Sequence, residues 1–125
     1  MTAPTLTSSL TYGNHTYVAE TMRVHRTHLG PEDHGIFTAM ISMESLEGST
    51  GQGISPISLN NEYAYPYIQA LLDVFRVGRW EDILDSEIIV LRERPYDLIV
   101  GLASKDIKKV LIFEQHYEEW KSSHA

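Results

Sequence analysis

The sequence predicts an α+β domain, with an antiparallel sheet of about five strands, one main helix over residues 65–77 and a C-terminal helix. Three observations lead there. Apolar residues alternate with period two in the first half, as Val18, Met22 and Val24 do. The period then switches to helical spacing at Ile68, Leu71, Leu72 and Phe75. Turn signals at Gly30-Pro31, His34-Gly35 and Pro95-Tyr96-Asp97 divide the remaining apolar runs into hairpins.

Residues 1–14 are rich in Ser and Thr and form a tail or a loosely attached edge strand, with one α+β domain over 15–125. Residues 16–29 make a strand whose second face carries Arg23, His25 and Thr27. Residues 36–43 return beside it, because the connection is too short for anything but antiparallel pairing. Residues 48–53 (Gly-Ser-Thr-Gly-Gln-Gly) are a flexible loop before a short strand over 54–59, where Pro56 lacks an N–H and demands an edge or a bulge. Asn60 and Asn61 are capping candidates for the helix. Pro66 fits only its first turn, and Gly78 ends it. Trp80-Glu81-Asp82-Ile83 is a short turn with its indole on the core. Residues 87–92 and 98–103 form a second hairpin, residues 110–113 suit either a further strand or a helix, and 114–122 are helical.

The chain has 125 residues, 42% hydrophobic and 22% charged, which suits one globular domain. With no cysteine, disulfides and zinc-thiolate sites are excluded, in keeping with a cytoplasmic protein. The first ten residues lack the basic start and apolar core of a signal peptide. No apolar run reaches the roughly 18 residues that span a bilayer. A formal charge of −7 argues against sequence-independent DNA binding, which needs a basic surface, so no direct nucleic-acid contact is expected. Mimicry of nucleic acid would want the carboxylates concentrated, and they are dispersed along the chain.

Chemistry-bearing residues gather at 25–35. His25, His28, Glu32, Asp33 and His34 offer metal ligands, yet their spacing matches no zinc pattern. His25 and His28 face opposite sides of a regular strand and would need a bulge to act together. The plainer reading has Glu32, Asp33 and His34 satisfying turn backbone groups, with Gly35 at a positive φ. A hydrolase would need a nucleophile, and there is neither a Gly-x-Ser-x-Gly elbow nor a cysteine. The glycines at 48–53 offer N–H groups for an anion but lack the Lys-Ser or Lys-Thr tail of a P-loop. Arg76 and Arg79 meet a helix end, Arg92 and Arg94 a hairpin tip, and Lys105, Lys108 and Lys109 form a short basic cluster. Tyr63, Tyr65 and Tyr67 suit core or interface more than base stacking.

The run Thr27-His28-Leu29-Gly30-Pro31-Glu32-Asp33-His34-Gly35-Ile36-Phe37-Thr38, followed by Gly51-Gln52-Gly53 and Trp80-Glu81-Asp82, resembles a family of small bacteriophage proteins. Its pattern is Thr-x-Leu-Gly-x-Glu-Asp-His-Gly-Ile-x-Thr, and the resemblance covers about residues 23 to 103. It implies a phage-encoded accessory factor acting in the host cytoplasm, and analogy suggests a role against host defence. The glycine loop, the Asp-His-Gly turn and a neighbouring arginine from Arg23, Arg26, Arg92 or Arg94 then point to sequestration of a nucleotide second messenger without turnover. The expected ligand-binding residues are Glu32, Asp33, His34, Gly35, Gly51, Gln52, Gly53, Arg92 and Arg94, with no cofactor, metal or catalytic residue. Scarce cations per protomer imply a homo-oligomer. Two alternatives stand: an anti-CRISPR-like inhibitor that binds a host defence protein, favoured by the acidic balance, and a small metal-dependent hydrolase.

Overall fold

The computed structural model describes residues 7–31, 37–46, 51–53, 57–58 and 62–123. Strands β1 (Thr7–Tyr12) and β2 (His15–Pro31) form a hairpin, and β3 (Phe37–Ser45) returns along the second half of β2. The short strands β4 (Gly51–Gly53) and β5 (Ile57–Ser58) both pair with β3. Helix α1 (Ala64–Phe75) and a 3₁₀ turn (Trp80–Ile83) precede β6 (Glu87–Arg92), β7 (Ile99–Ala103) and β8 (Val110–Ile112), and α2 (Phe113–Ser123) follows at once. All pairings are antiparallel in one sheet ordered β4-β3-β2-β6-β7-β8, with β1 on β2 and β5 on β3.

The α+β architecture, the main helix and the C-terminal helix are as the sequence predicts, with more strands than the five expected. The additions are β1, β8 and the fragment β4, which lies where a flexible loop was expected. Gly51–Gly53 becomes a strand because β3 presents Ser42, Met43 and Glu44 to pair with it, a long-range partner that local composition does not reveal.

Helix α1 ends two residues earlier than Gly78 would place it. Arg76 takes the left-handed conformation (φ 60°), its N–H donates to Asp73 O, and Val77 N–H donates to Leu72 O at 3.0 Å. These two bonds close a Schellman cap on a non-glycine residue. At the other end the capping position is Tyr63, which makes no side-chain cap bond, while Asn60 and Asn61 lie outside the described residues.

The core lies between α1 and one face of the sheet. Tyr67, Leu71, Val74 and Phe75 pack on Met22, Val24, Ile41, Met43, Ile88, Val90 and Leu102. Each fully buried Leu, Ile or Val contributes about 1.5–3 kcal/mol relative to exposure. Trp80 packs its indole against this cluster, as expected for the turn it opens. The opposite face carries a smaller cluster of Leu10, Tyr17, Ala19, Leu91 and Ala103. There Gly101 is obligatory, since a Cβ would fall 2.6 Å from Leu111 O and 2.8 Å from Ile112 Cδ1. Among the described residues no helix is long and apolar enough to cross a membrane.

Candidate functional site

Strand β2 is regular until Val24, which lies opposite Met43, and resumes at Arg26 opposite Ser42. The extra residue is His25, a β-bulge. Without it, Arg23 and Arg26 would point to opposite faces, because side chains alternate along a strand. Met43 is fully buried on the core side, so its neighbours Ser42 and Glu44 face away, and their partners Arg26 and Arg23 do too. The bulge therefore places Arg23, Arg26 and His28 on one face of one strand.

Strand β4 extends these rows. Gly53 pairs with Ser42 and Gly51 with Glu44, so one row reads Arg26–Ser42–Gly53 and the next Arg23–Glu44–Gly51. Arg23 Nη2 donates to Glu44 Oε2 at 2.9 Å. The hydrogen bond and charge of Glu44 raise the Arg23 pKa above the ordinary arginine value. Arg26 is exposed, and among the described residues no carboxylate pairs with it. His28 lies opposite Met40, with its Nε2 3.2 Å from Pro31 O. An exposed guanidinium, the Ser42 hydroxyl and an imidazole thus share a strip two strands wide. Such a strip suits an anion with several acceptor oxygens.

The expected site residues divide three ways. Glu32, Asp33, His34 and Gly35 lie outside the described residues, between Pro31 and Phe37, the last cross-strand pair of the β2–β3 hairpin. Gly51, Gln52 and Gly53 form β4, separated from Arg23 and Arg26 by β3. Arg92 and Arg94 are not brought to them. Arg92 is opposite Val18, about 25 Å along β2 from Arg26 at ~3.3 Å per residue. Its side chain is buried on the helix side, where Nη1 donates to Glu20 Oε1 at 3.0 Å and Nε donates to Asp97 O at 3.0 Å. Arg94 pairs at the surface with Asp97, 3.2 Å away. Arg92 therefore stands apart from β4, and the arginines in the rows that reach β4 through β3 are Arg23 and Arg26.

Elsewhere a concavity of about 370 Å³ lies between α1, β8 and α2, lined by Pro66, Gln69, Asp73, Lys109 and His116 among others. Lys109 Nζ is 3.2 Å from Asp73 Oδ1, and Tyr63 Oη is 2.7 Å from His116 Nδ1. Burial first, and then the neighbouring Tyr117, push the Tyr63 phenol up to about 12, and burial raises Tyr67 as well. Both phenols stay protonated at neutral pH. Tyr63 also stacks near Tyr117 and Trp120, at 5.1 and 5.2 Å between centroids, so α2 docks on a tyrosine from the start of α1. The stripe Tyr63, Tyr67 is core, while Tyr65 is exposed. Ser42 and His116 carry no local sequence signal, since only pairing and packing place them. Among the described residues no three His, Asp or Glu side chains converge as a metal site.

No family model, curated protein or solved structure matches this chain.

Proposed function

We propose that this chain is a phage-encoded accessory protein that counters host defence by holding a phosphate-bearing nucleotide messenger without turning it over. The observation that carries the reading is the His25 bulge, which turns Arg23 and Arg26 to the same face, in rows that continue through Ser42 and Glu44 of β3 to the Gly51–Gly53 strand. A phosphate on this strip takes the Arg26 guanidinium and the Ser42 hydroxyl, with His28 two residues along β2. Charge-assisted contacts of this kind are worth roughly 1.5–3 kcal/mol each. In a chain of net charge −7, a ligand anion needs such a local concentration of donors.

The test is isothermal titration of the wild type and Arg26→Ala with cyclic dinucleotides, cyclic trinucleotides and cyclic ADP-ribose isomers. Binding by the wild type, weakened at least tenfold or so in Arg26→Ala, with the ligand recovered intact by chromatography, supports the reading. Absence of binding across the panel overturns it, and a hydrolysed product would move the chain to the hydrolase class.

A second reading, direct binding of a host defence protein, is favoured by the β6–β7 turn. Tyr96 is 96% exposed and Leu98 69%, and Tyr96 holds a φ of 68°. The Arg92 bond to Asp97 O from beneath and the surface Arg94–Asp97 pair hold this turn. Tyr and Arg presented on a rigid tip are residues that anchor protein interfaces. Loss of co-purification with a defence protein in Tyr96→Ala, alongside an empty nucleotide panel, would select this reading.

A further inference from the structure

The β1–β2 hairpin turns through Gly13-Asn14, with Gly13 at φ 63° and Tyr12 opposite His15 as the closing pair. A positive φ confined to the first of two loop residues is the pattern of a type II′ turn, whose closing pair exchanges both backbone hydrogen bonds. Bonding then alternates along β1. Tyr12, Leu10 and Ser8 turn their N–H and C=O groups to β2, and Thr11, Ser9 and Thr7 turn theirs outward.

This outer edge differs from those of β8, β4 and β5, and from residues 25–31 of β2, which have no described strand on the β6 side but carry the His25 bulge, Arg26 and Pro31. Strand β8 runs straight into α2 at Phe113, and β4 and β5 are three and two residues long. Strand β1 has six residues, no charge, no proline and no bulge in its pairing. Among the described residues no strand pairs with its outer side. Proteins usually blunt such an edge with lysine, proline or a bulge.

We propose that β1 is the self-association edge of this protein, and that its occupant is β1 of a second copy, antiparallel across a two-fold axis. The register is set by the outward groups. Placing Ser9 opposite the partner's Ser9 puts Thr7 opposite the partner's Thr11 and Thr11 opposite the partner's Thr7. All three are hydrogen-bonded pairs, so the edge closes with about six N–H···O bonds. The Ser9 hydroxyls then meet across the axis on one face, flanked by Thr11 of each copy. On the other, Leu10 meets the partner's Ser8 and extends the cluster of Leu10, Tyr17 and Ala19 across the axis. Charge selects the same place: two copies at −7 each repel, and β1 is an edge where they meet without facing carboxylates. The inference is independent of any ligand.

Sedimentation equilibrium of the full chain tests it. The wild type is expected to form a dimer of the 14.2 kDa chain in the micromolar range. Ser9→Pro removes only an outward N–H, so the β1–β2 bonds survive while association weakens at least about tenfold. Ser9→Lys, which brings two like charges together at the axis, is expected to do the same and is the variant to read if Ser9→Pro loses its circular dichroism signal. Concentration-dependent protection of the Ser9 and Thr11 amides from hydrogen exchange would support the register. A wild type that stays monomeric up to about 100 μM overturns the proposal. So does a dimer unaffected by Ser9→Lys.

Discussion

Arg92 on β6 and Glu20 on β2 form an ion pair on the helix side of the sheet, Nη1 to Oε1 at 3.0 Å, with side-chain exposures of 7% and 18%. The same guanidinium donates through Nε to Asp97 O and lies 3.7 Å from Met22 Sδ. One buried cation therefore ties the centre of the sheet to the β6–β7 turn that carries Tyr96. Arg92→Ala leaves Glu20 without this partner and frees the turn. The expected loss is about 3–5 kcal/mol, read as a lower urea midpoint. A double change, Arg92→Met with Glu20→Leu, is expected to cost far less, because no unpaired charge is left behind.

Arg26→Ala is expected to separate binding from folding. The side chain is exposed and opposite Ser42, so stability should move by less than about 0.5 kcal/mol. Affinity for the nucleotide ligand should fall at least roughly tenfold, and the wild-type affinity should drop with added salt. Equal affinities in the two proteins would remove Arg26 from the site.

Gly101→Ala places a methyl 2.6 Å from the backbone oxygen of Leu111, which cannot rotate away. A loss of roughly 1–3 kcal/mol is expected from this overpacking, with β7 and β8 losing hydrogen-exchange protection first. An unchanged midpoint would mean that β8 shifts freely relative to β7.

Ile107 sits at φ 63°, a conformation a β-branched residue rarely adopts. The turn holds it there: Ser104 Oγ donates to Asp106 Oδ1 at 2.7 Å, and Lys108 N–H donates to the same oxygen at 3.1 Å. Because the side chain is exposed, Ile107→Asn gives up little packing and relieves left-handed strain of roughly 1–2 kcal/mol. A rise in melting temperature is the expected result, and a fall would show that the isoleucine makes a contact worth more than its strain.

Alkaline pH should loosen the α1–α2 junction. The folded-state pKa of Tyr63 is raised from 10.0 to about 12, by burial first and then by Tyr117. The protonated phenol is thus favoured by folding. Its contribution is full below about pH 10 and is lost as pH rises through about 12. Denaturant titrations across that window, with tyrosinate absorbance as the second probe, should show falling stability. Tyr63→Phe should remove part of the slope, and Tyr67 and Tyr17, whose pKa values are also raised, contribute to the remainder.

Periodicity alone determined a good deal of this protein. Val18, Met22 and Val24 alternate, and Ile68, Leu71 and Phe75 recur at helical spacing, because burial against a neighbouring layer constrains apolar positions wherever that layer comes from. Turn chemistry at Pro95-Tyr96-Asp97 likewise separated β6 from β7. The end of α1 escaped this reading. Glycine is favoured in the left-handed region, but the chain turns at Arg76, where Leu72 and Asp73 carbonyls accept bonds and Asp106 holds the guanidinium at 2.8 Å. The site escaped for a related reason. Nothing in His25 marks a bulge, and nothing near Gly51 names β3 as its partner. Register is a property of two strands at once. Only the tertiary pairing decided that Arg26 shares a row with Ser42 and Gly53, and that Arg92, three residues after Ile89, turns inward to Glu20.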